Sequence, residues 1–112
     1  MDKQLFQRHA DVCQTLANAT RLEILSDLRD GEKRVSDLVE RTGLPQANIS
    51  QHLALLRSKN LVATRREGAK IYYRIANDKI IRACDLIREV LIEQTVEAAQ
   101  AVGAFAPKRK RA

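Results

Sequence analysis

The chain has 112 residues and a formal net charge of +6, from 20 basic and 14 acidic side chains. This length predicts a single domain with a modest core, too small for a large active-site cleft. The sequence has no run of ~18 apolar residues that could span a membrane. The polar start, Met1-Asp2-Lys3-Gln4, lacks the features of a secretory signal, so we expect a cytoplasmic protein.

The positive charge is concentrated in two segments. Residues 46–76 contain six basic side chains against one acid, Glu67, and residues 108–111 are all basic. A clustered basic surface favours a polyanionic partner such as nucleic acid. We expect residues 103–112 to form a disordered, chiefly solubilising tail, with a DNA-binding arm as the alternative.

The spacing of apolar residues predicts five helices. In the second helix Leu22, Leu25 and Leu28 recur at helical spacing, and we expect all three to be buried. Asn18 and Asn77 are candidate N-caps of the second and fifth helices, because an asparagine oxygen can accept from amides of the first turn. The predicted helices span about residues 3–17, 20–29, 35–42, 46–59 and 78–100.

The period changes after the fourth helix. Two runs rich in β-branched and aromatic residues, 61–66 and 70–75, are separated by a short turn around Gly68. This pattern predicts a β-hairpin, with Gly68 available for a backbone conformation of positive φ. Tyr72 and Tyr73 alternate along the second strand, so we expect one to pack inward and the other to face outward.

The order of these elements predicts a mainly α fold, a winged helix-turn-helix of five helices and a small β-hairpin. The third helix ends at its expected C-cap, Gly43, and a turn through Pro45 leads into the fourth. We assign residues 1–102 to this domain. The first and last helices keep apolar sides, which predicts that two copies of the chain form a homodimer through them.

Three sequence blocks between residues 16 and 74 carry a resemblance. Residues 16–25 read LANATRLEIL, residues 49–57 read ISQHLALLR, and residues 61–74 contain LV, RREG and IYYR. They resemble the "LAdptRLrIL" opening, the "vSxHLxxLr" recognition helix and the wing of ArsR/SmtB-type bacterial regulators. The resemblance implies a homodimeric transcriptional repressor that releases DNA on binding a metal or on thiol oxidation.

The fourth helix and the predicted hairpin of residues 61–75, which corresponds to the wing, carry the expected DNA contacts. A helix fits the major groove, where its early outward side chains reach base edges of a roughly palindromic operator. Glutamine can bond adenine in two places, and alanine can contact a thymine methyl group. Basic residues further along would bind phosphates, Lys59 among them. The candidate DNA-binding residues are Gln46, Ala47, Ser50, Gln51, His52, Arg57, Arg65, Arg66 and Lys70.

Some interpretations remain open from the sequence. His52 either bonds a phosphate or lies partly buried and ties the fourth helix to the core. A winged-helix module that binds a protein partner is the rival function, and the charge-dense wing counts against it. An enzyme is not indicated, because Ser50 and His52 lie two positions apart on a helix, on nearly opposite faces, and cannot form a nucleophile–base pair.

The metal sites implied by the family resemblance are not matched in this chain. The Cys-x-Cys pair of one site falls on Arg34-Val35-Ser36, and residues 78–80 and 91–94 lack the histidines of the other. Zinc needs three or four N, S or O ligands, so neither region predicts a zinc site. The cysteine pair of persulfide-sensing members is also missing, with Ser26 at its first position.

The chain's own cysteines, Cys13 and Cys84, lie on the predicted first and last helices. If their α-carbons approach within ~7 Å, oxidation to a disulfide could change the spacing of the recognition helices. The alternative is a structural role for both thiols in a constitutive or autoregulatory repressor. His9 lies one turn before Cys13, so a soft ion shared by His9, Cys13 and Cys84 is a third reading, and no other cofactor is predicted.

Overall fold

The structure, a computed structural model, describes residues 2–105. Within this range the chain forms five α-helices and one antiparallel pair of strands, as the sequence predicts. The described chain divides after Ile81 into two compact units, of which the second is the remainder of the last helix. The elements are α1 (Lys3–Leu16), α2 (Ala19–Asp27), α3 (Val35–Thr42), α4 (Gln46–Ser58), β1 (Val62–Glu67), β2 (Lys70–Ile75) and α5 (Asp78–Phe105).

The helix ends follow the predicted capping residues. The Oδ1 atom of Asn18 accepts from the Arg21 amide at 3.0 Å, and α2 begins at the next residue. Asn77 caps α5 in the same way, since its Oδ1 accepts from the Lys79 amide at 2.9 Å. Gly43 ends α3 at φ +72°, a left-handed conformation that glycine adopts without steric cost.

Two helix boundaries differ from the prediction. The helix α2 ends at Asp27, two residues before the expected end, because the chain already turns through residues 28–30. The helix α5 continues to Phe105, about five residues beyond the expected end, since a single glycine at 103 costs a helix only about 1 kcal/mol. The basic residues 108–111 of the predicted tail lie outside the described residues, and the division at residue 102 stays a prediction.

The core of the first unit is built from α2, α3, α4, β1 and the start of α5. Leu22 is only half-buried, contrary to the prediction, whereas Ile24 is fully buried. The reason is the helical stripe, which runs through residues 24, 25 and 28 and leaves Leu22 at its edge. The buried hydrophobic residues are Ile24, Leu25, Leu28, Leu38, Ile49, Leu53, Leu56, Leu61, Val62 and Ile81.

The hairpin β1–β2, which we call the wing, has a two-residue loop of Gly68 and Ala69 between paired Glu67 and Lys70. Gly68 adopts φ +61°, as the first loop residue of a type I′ or II′ turn requires. Tyr73 packs against the core and pairs through its backbone with Lys33, ahead of α3. The alternation predicted for the two tyrosines is therefore confirmed, with Tyr73 inward.

Candidate DNA-binding site

The helix α4 presents one apolar and one polar face. Its inward stripe, Ile49, Leu53 and Leu56, has no exposed surface at all. Burying each of these side chains contributes about 1.5–3 kcal/mol, which holds the helix firmly on the core. The polar face is exposed and contains the predicted base-reading residues Gln46, Ala47, Ser50 and Gln51.

The N-terminal ends of α3 and α4 lie beside the tip of the wing. An open cleft of about 230 Å³ is lined by Gln46 of α4, by Ala69 and Ile71 of the wing, and by residues 34–36 at the start of α3. The first predicted DNA-contacting residue and the wing therefore share one side of the molecule. Arg34 is not among the DNA-contacting residues predicted from the sequence, because only the folded chain brings the start of α3 to the wing.

His52 is half-buried and contacts a second basic residue. Its Nδ1 atom lies 3.3 Å from Nη1 of Arg21 on α2. Because arginine has no acceptor, Nδ1 must be the acceptor and the ring proton lies on Nε2. Burial lowers the pKa of His52, and the positive charge of Arg21 lowers it further. The structure thus gives His52 a contact with α2, the second of the two roles left open by the sequence.

Arg57 and Lys59 at the end of α4 differ in their surroundings. Arg57 is exposed and has no ionic partner among residues 2–105. Lys59 forms an ion pair with Asp11 of α1, with Nζ 2.7 Å from Oδ2. Lys59 therefore connects the end of α4 to α1, and the phosphate contact expected for it from the sequence stays a prediction.

The three wing residues predicted to bind phosphate, Arg65, Arg66 and Lys70, fall into two groups. Arg65 bonds the carboxylates of Glu32 and Glu67, which hold its pKa above the usual value. Arg66 and Lys70 are exposed, and in the part of the chain that the structure describes neither has an ionic partner. Arg66 and Lys70 therefore have all of their donors available to phosphate, whereas Arg65 already bonds two carboxylates.

The three predicted sensor residues sit on two helices. His9 and Cys13 are exposed on α1, and Cys84 is half-buried on α5, both cysteines being in the reduced form. Within the described range of a single chain, no group of three or more His, Cys, Asp or Glu side chains is placed to hold a metal ion.

None of the described helices combines the length and hydropathy needed to cross a bilayer.

Comparisons with known proteins agree with this geometry. The family model "Bacterial regulatory protein, arsR family" matches residues 18–64. The chain is 39% identical over 102 residues to the HTH-type transcriptional regulator KmtR of Mycobacterium tuberculosis (strain ATCC 25618 / H37Rv), a match that covers 91% of this chain and 72% of KmtR.

Two solved structures extend the likeness to the fold. The crystal structure of Rv0081 from M. tuberculosis superposes with a TM-score of 0.78 at 31% identity, covering 88% of this chain and 99% of that one. The homodimeric winged helix-turn-helix DNA-binding domain of Mb0332 from Mycobacterium bovis, a possible ArsR-family regulator, gives a TM-score of 0.76 at 38% identity, covering 82% and 85%.

The fold defines a winged helix-turn-helix protein, and the family and the relatives that match it are DNA-binding regulators of transcription and not enzymes. The chain belongs to the ArsR family of bacterial regulatory proteins, as its three sequence blocks predict.

Proposed function

We propose that the chain is a homodimeric transcriptional repressor that binds a roughly palindromic DNA operator through α4 and the wing. The observation that carries this proposal is the arrangement of α4, in which Ser50 and Gln51 are exposed between fully buried Ile49 and Leu53. Such a helix can enter the major groove without loss of its own packing. Its N-cap, Pro45, supplies no side-chain hydrogen bond, which leaves first-turn amides for a phosphate.

The roles of the candidate residues follow from their surroundings. We assign base-edge contacts to the polar face of α4, from Gln46 to Gln51. Phosphate contacts belong to Arg57, Arg66 and Lys70, which are exposed and have no ionic partner within residues 2–105. A phosphate contact from Nε2 of His52 stays a prediction beside its contact with Arg21.

Unpaired apolar surface supports the homodimer. On α1 the exposed fractions of Leu5 and Phe6 are 48% and 56%. Contact of such apolar side chains with water is unfavourable, so burial against a second copy would stabilise them. The similar domain of Mb0332 is homodimeric. Further exposed apolar side chains occur along α5, namely Leu86, Ile87, Val90, Leu91, Ile92, Val96 and Val102.

Selection of duplexes from a random DNA library by the purified full-length chain tests the proposal. We expect enrichment of a sequence with two-fold symmetry and half-sites ~34 Å apart, one turn of DNA. Replacing Ser50 and Gln51 by alanine should weaken binding to the selected duplex at least tenfold and binding to random DNA hardly at all, since each lost base contact costs about 1–3 kcal/mol.

The R66Q and K70Q variants are the matched controls for that experiment. Each should weaken binding to selected and random DNA alike and reduce the slope of log K against log salt by ~0.9, one phosphate contact. If S50A/Q51A weakened binding to both kinds of DNA equally, the assignment of base reading to α4 would be wrong.

Release from the operator is proposed to depend on the thiols of Cys13 and Cys84. The exposure of Cys13 supports this, because an oxidant can reach its thiol. A soft ion bridging two copies at His9, Cys13 and Cys84 is the competing proposal. A repressor without any sensor is the third.

Operator affinity in reductant and in mild oxidant, for the wild type, C13S and C84S, distinguishes these proposals. A thiol switch predicts weaker binding after oxidation in the wild type, restored by reductant, and no change in either variant. Equal binding under both conditions in all three proteins would leave the repressor without a thiol sensor. A response to added Zn²⁺ that C13S abolishes would favour the soft ion.

A further inference from the structure

Arg65 extends from β1 across the outer face of the wing and contacts two carboxylates and an aromatic ring. Its Nε atom donates to both carboxylate oxygens of Glu32, at 2.9 and 2.8 Å, and Nη2 bonds the same group. Its Nη1 atom donates to Oε2 of Glu67 at 2.9 Å. The guanidinium carbon lies 4.3 Å from the ring centroid of Tyr72, the cross-strand partner of Arg65. Two carboxylates and one aromatic ring of the chain itself thus contact this guanidinium.

Glu32 belongs to the segment that leads into α3. The next residue, Lys33, exchanges two backbone hydrogen bonds with Tyr73 of β2, at 2.9 and 2.8 Å. This antiparallel bridge places Glu32 on the far side of β2 from β1, opposite Arg74. The side chain of Arg65 therefore spans the whole width of the sheet. Its hydrogen bond is the main reason that the pKa of Glu32 is lowered, so the carboxylate is charged at neutral pH.

The outer half of the wing is exposed to solvent. The inner end of β1 is anchored in the core by Val62, but residues 65–67 and 70–71 are all exposed. Beyond the core, the hairpin is held by its own backbone ladder, and a two-stranded ribbon of this kind is only marginally stable in water. The contact between Arg65 and Glu32 joins this outer half to the segment before α3.

We propose that Arg65 is a positioning residue of the wing and not a phosphate ligand. Held by Glu32 and stacked on Tyr72, it fixes the outer hairpin so that Arg66 and Lys70 meet the DNA backbone. A phosphate bound by Arg65 would lie beside the carboxylate of Glu32, where like charges repel. This inference rests on the proposed DNA-binding function and revises the sequence-based expectation for Arg65.

The variants R65Q, E32Q and R65Q/E32Q, measured on the selected duplex at several salt concentrations, test the proposal. Because an exposed ion pair contributes at most about 1 kcal/mol, each single variant should weaken binding about two- to fivefold. The double variant should bind no more weakly than either single variant, since both remove one contact. The slope of log K against log salt should stay at the wild-type value in all three.

The neighbouring arginine provides the control. R66Q removes a positive charge one residue away, on the opposite face of the strand, and should lower the salt slope by ~0.9. A slope lowered by ~0.9 in R65Q, together with unchanged or tighter binding by E32Q, would overturn the proposal and make Arg65 a phosphate ligand. Unchanged affinity in both single variants would overturn it as well.

A measurement without DNA separates this inference from the proposed function. In urea unfolding, the effects of R65Q and E32Q on the midpoint should be small and should not add in the double variant, because the ion pair is present in the free protein. If no duplex is selected and R66Q leaves DNA binding unchanged, the proposed function fails, whereas the unfolding result still reports whether Arg65 and Glu32 are coupled.

Discussion

Arg21 illustrates how a single side chain can connect three helices. Its Nε atom donates to the carbonyl oxygen of Thr15 in the last turn of α1 at 2.6 Å, and its Nη1 atom contacts Nδ1 of His52 on α4. Thr15 is itself buried, and its hydroxyl bonds the carbonyl of Asp11. Burial lowers the pKa of His52, and the guanidinium, which stays charged at any physiological pH, lowers it further.

The pH dependence of stability should report on His52. Its pKa in the folded chain lies below the ordinary value of 6.5, so the unfolded chain binds more protons once the pH falls below about 6.5. The neutral ring therefore stabilises the fold fully above this pH, and the contribution is lost as the pH falls toward the folded-state pKa. Urea unfolding at pH 7.5 and 5.5, at one protein concentration, should show a larger loss of stability in the wild type than in H52Q.

The control for this measurement is H9Q, which removes an imidazole exposed on α1. It should keep the wild-type difference between the two pH values. An H52Q variant that loses as much stability as the wild type on acidification would show that the lowered pKa of His52 does not cause the pH dependence.

The elements were largely predictable because each has a local signal. Apolar spacing predicts α2 and α4, Asn18 and Asn77 mark the starts of α2 and α5, and Gly68 marks the loop of the wing. Other features depend on residues far apart in the sequence. The pairing of Lys33 with β2, and the contact of Glu32 with Arg65 33 positions away, arise only when the chain is folded. A basic residue can be recognised in a sequence, but its carboxylate partner cannot.

The turn between α4 and β1 contains another feature that the sequence pattern does not predict. Asn60 adopts φ +59°, the one described non-glycine residue with positive φ. Asparagine tolerates this conformation better than most residues, and it lets the chain reverse so that Leu61 and Val62 enter the core. Without a glycine at this position, the sequence pattern alone shows a helix followed by a strand and no tight turn.

At the scale of the whole molecule, the exposed apolar surface should determine the oligomeric state. Ile87 and Leu91 lie one helical turn apart on α5, with exposed fractions of 62% and 56%. The variant I87E/L91E should sediment as a monomer where the wild type sediments as a dimer, because a buried unpaired charge costs several kcal/mol. Analytical ultracentrifugation over a range of concentrations measures this, and operator affinity should fall together with dimerisation.

The matched control replaces a polar residue of the same helix, as in E93Q, and should remain dimeric. A wild-type chain that sediments as a monomer at micromolar concentrations would contradict the homodimer. A dimer that persists in I87E/L91E would place the interface elsewhere on the chain.

The contacts of α1 with α4 have a mechanical consequence. Asp11 and Thr15, one turn apart on α1, are joined to α4 by the ion pair with Lys59 and, through Arg21, to His52. Hydrogen bonds depend on distance and angle, so a sliding or rotation of α1 would either carry α4 with it or break these contacts. Cys13 lies between the two attachment points. Chemical change at that thiol would therefore act on a helix that is coupled, at both ends of one turn, to α4, the helix proposed to read DNA.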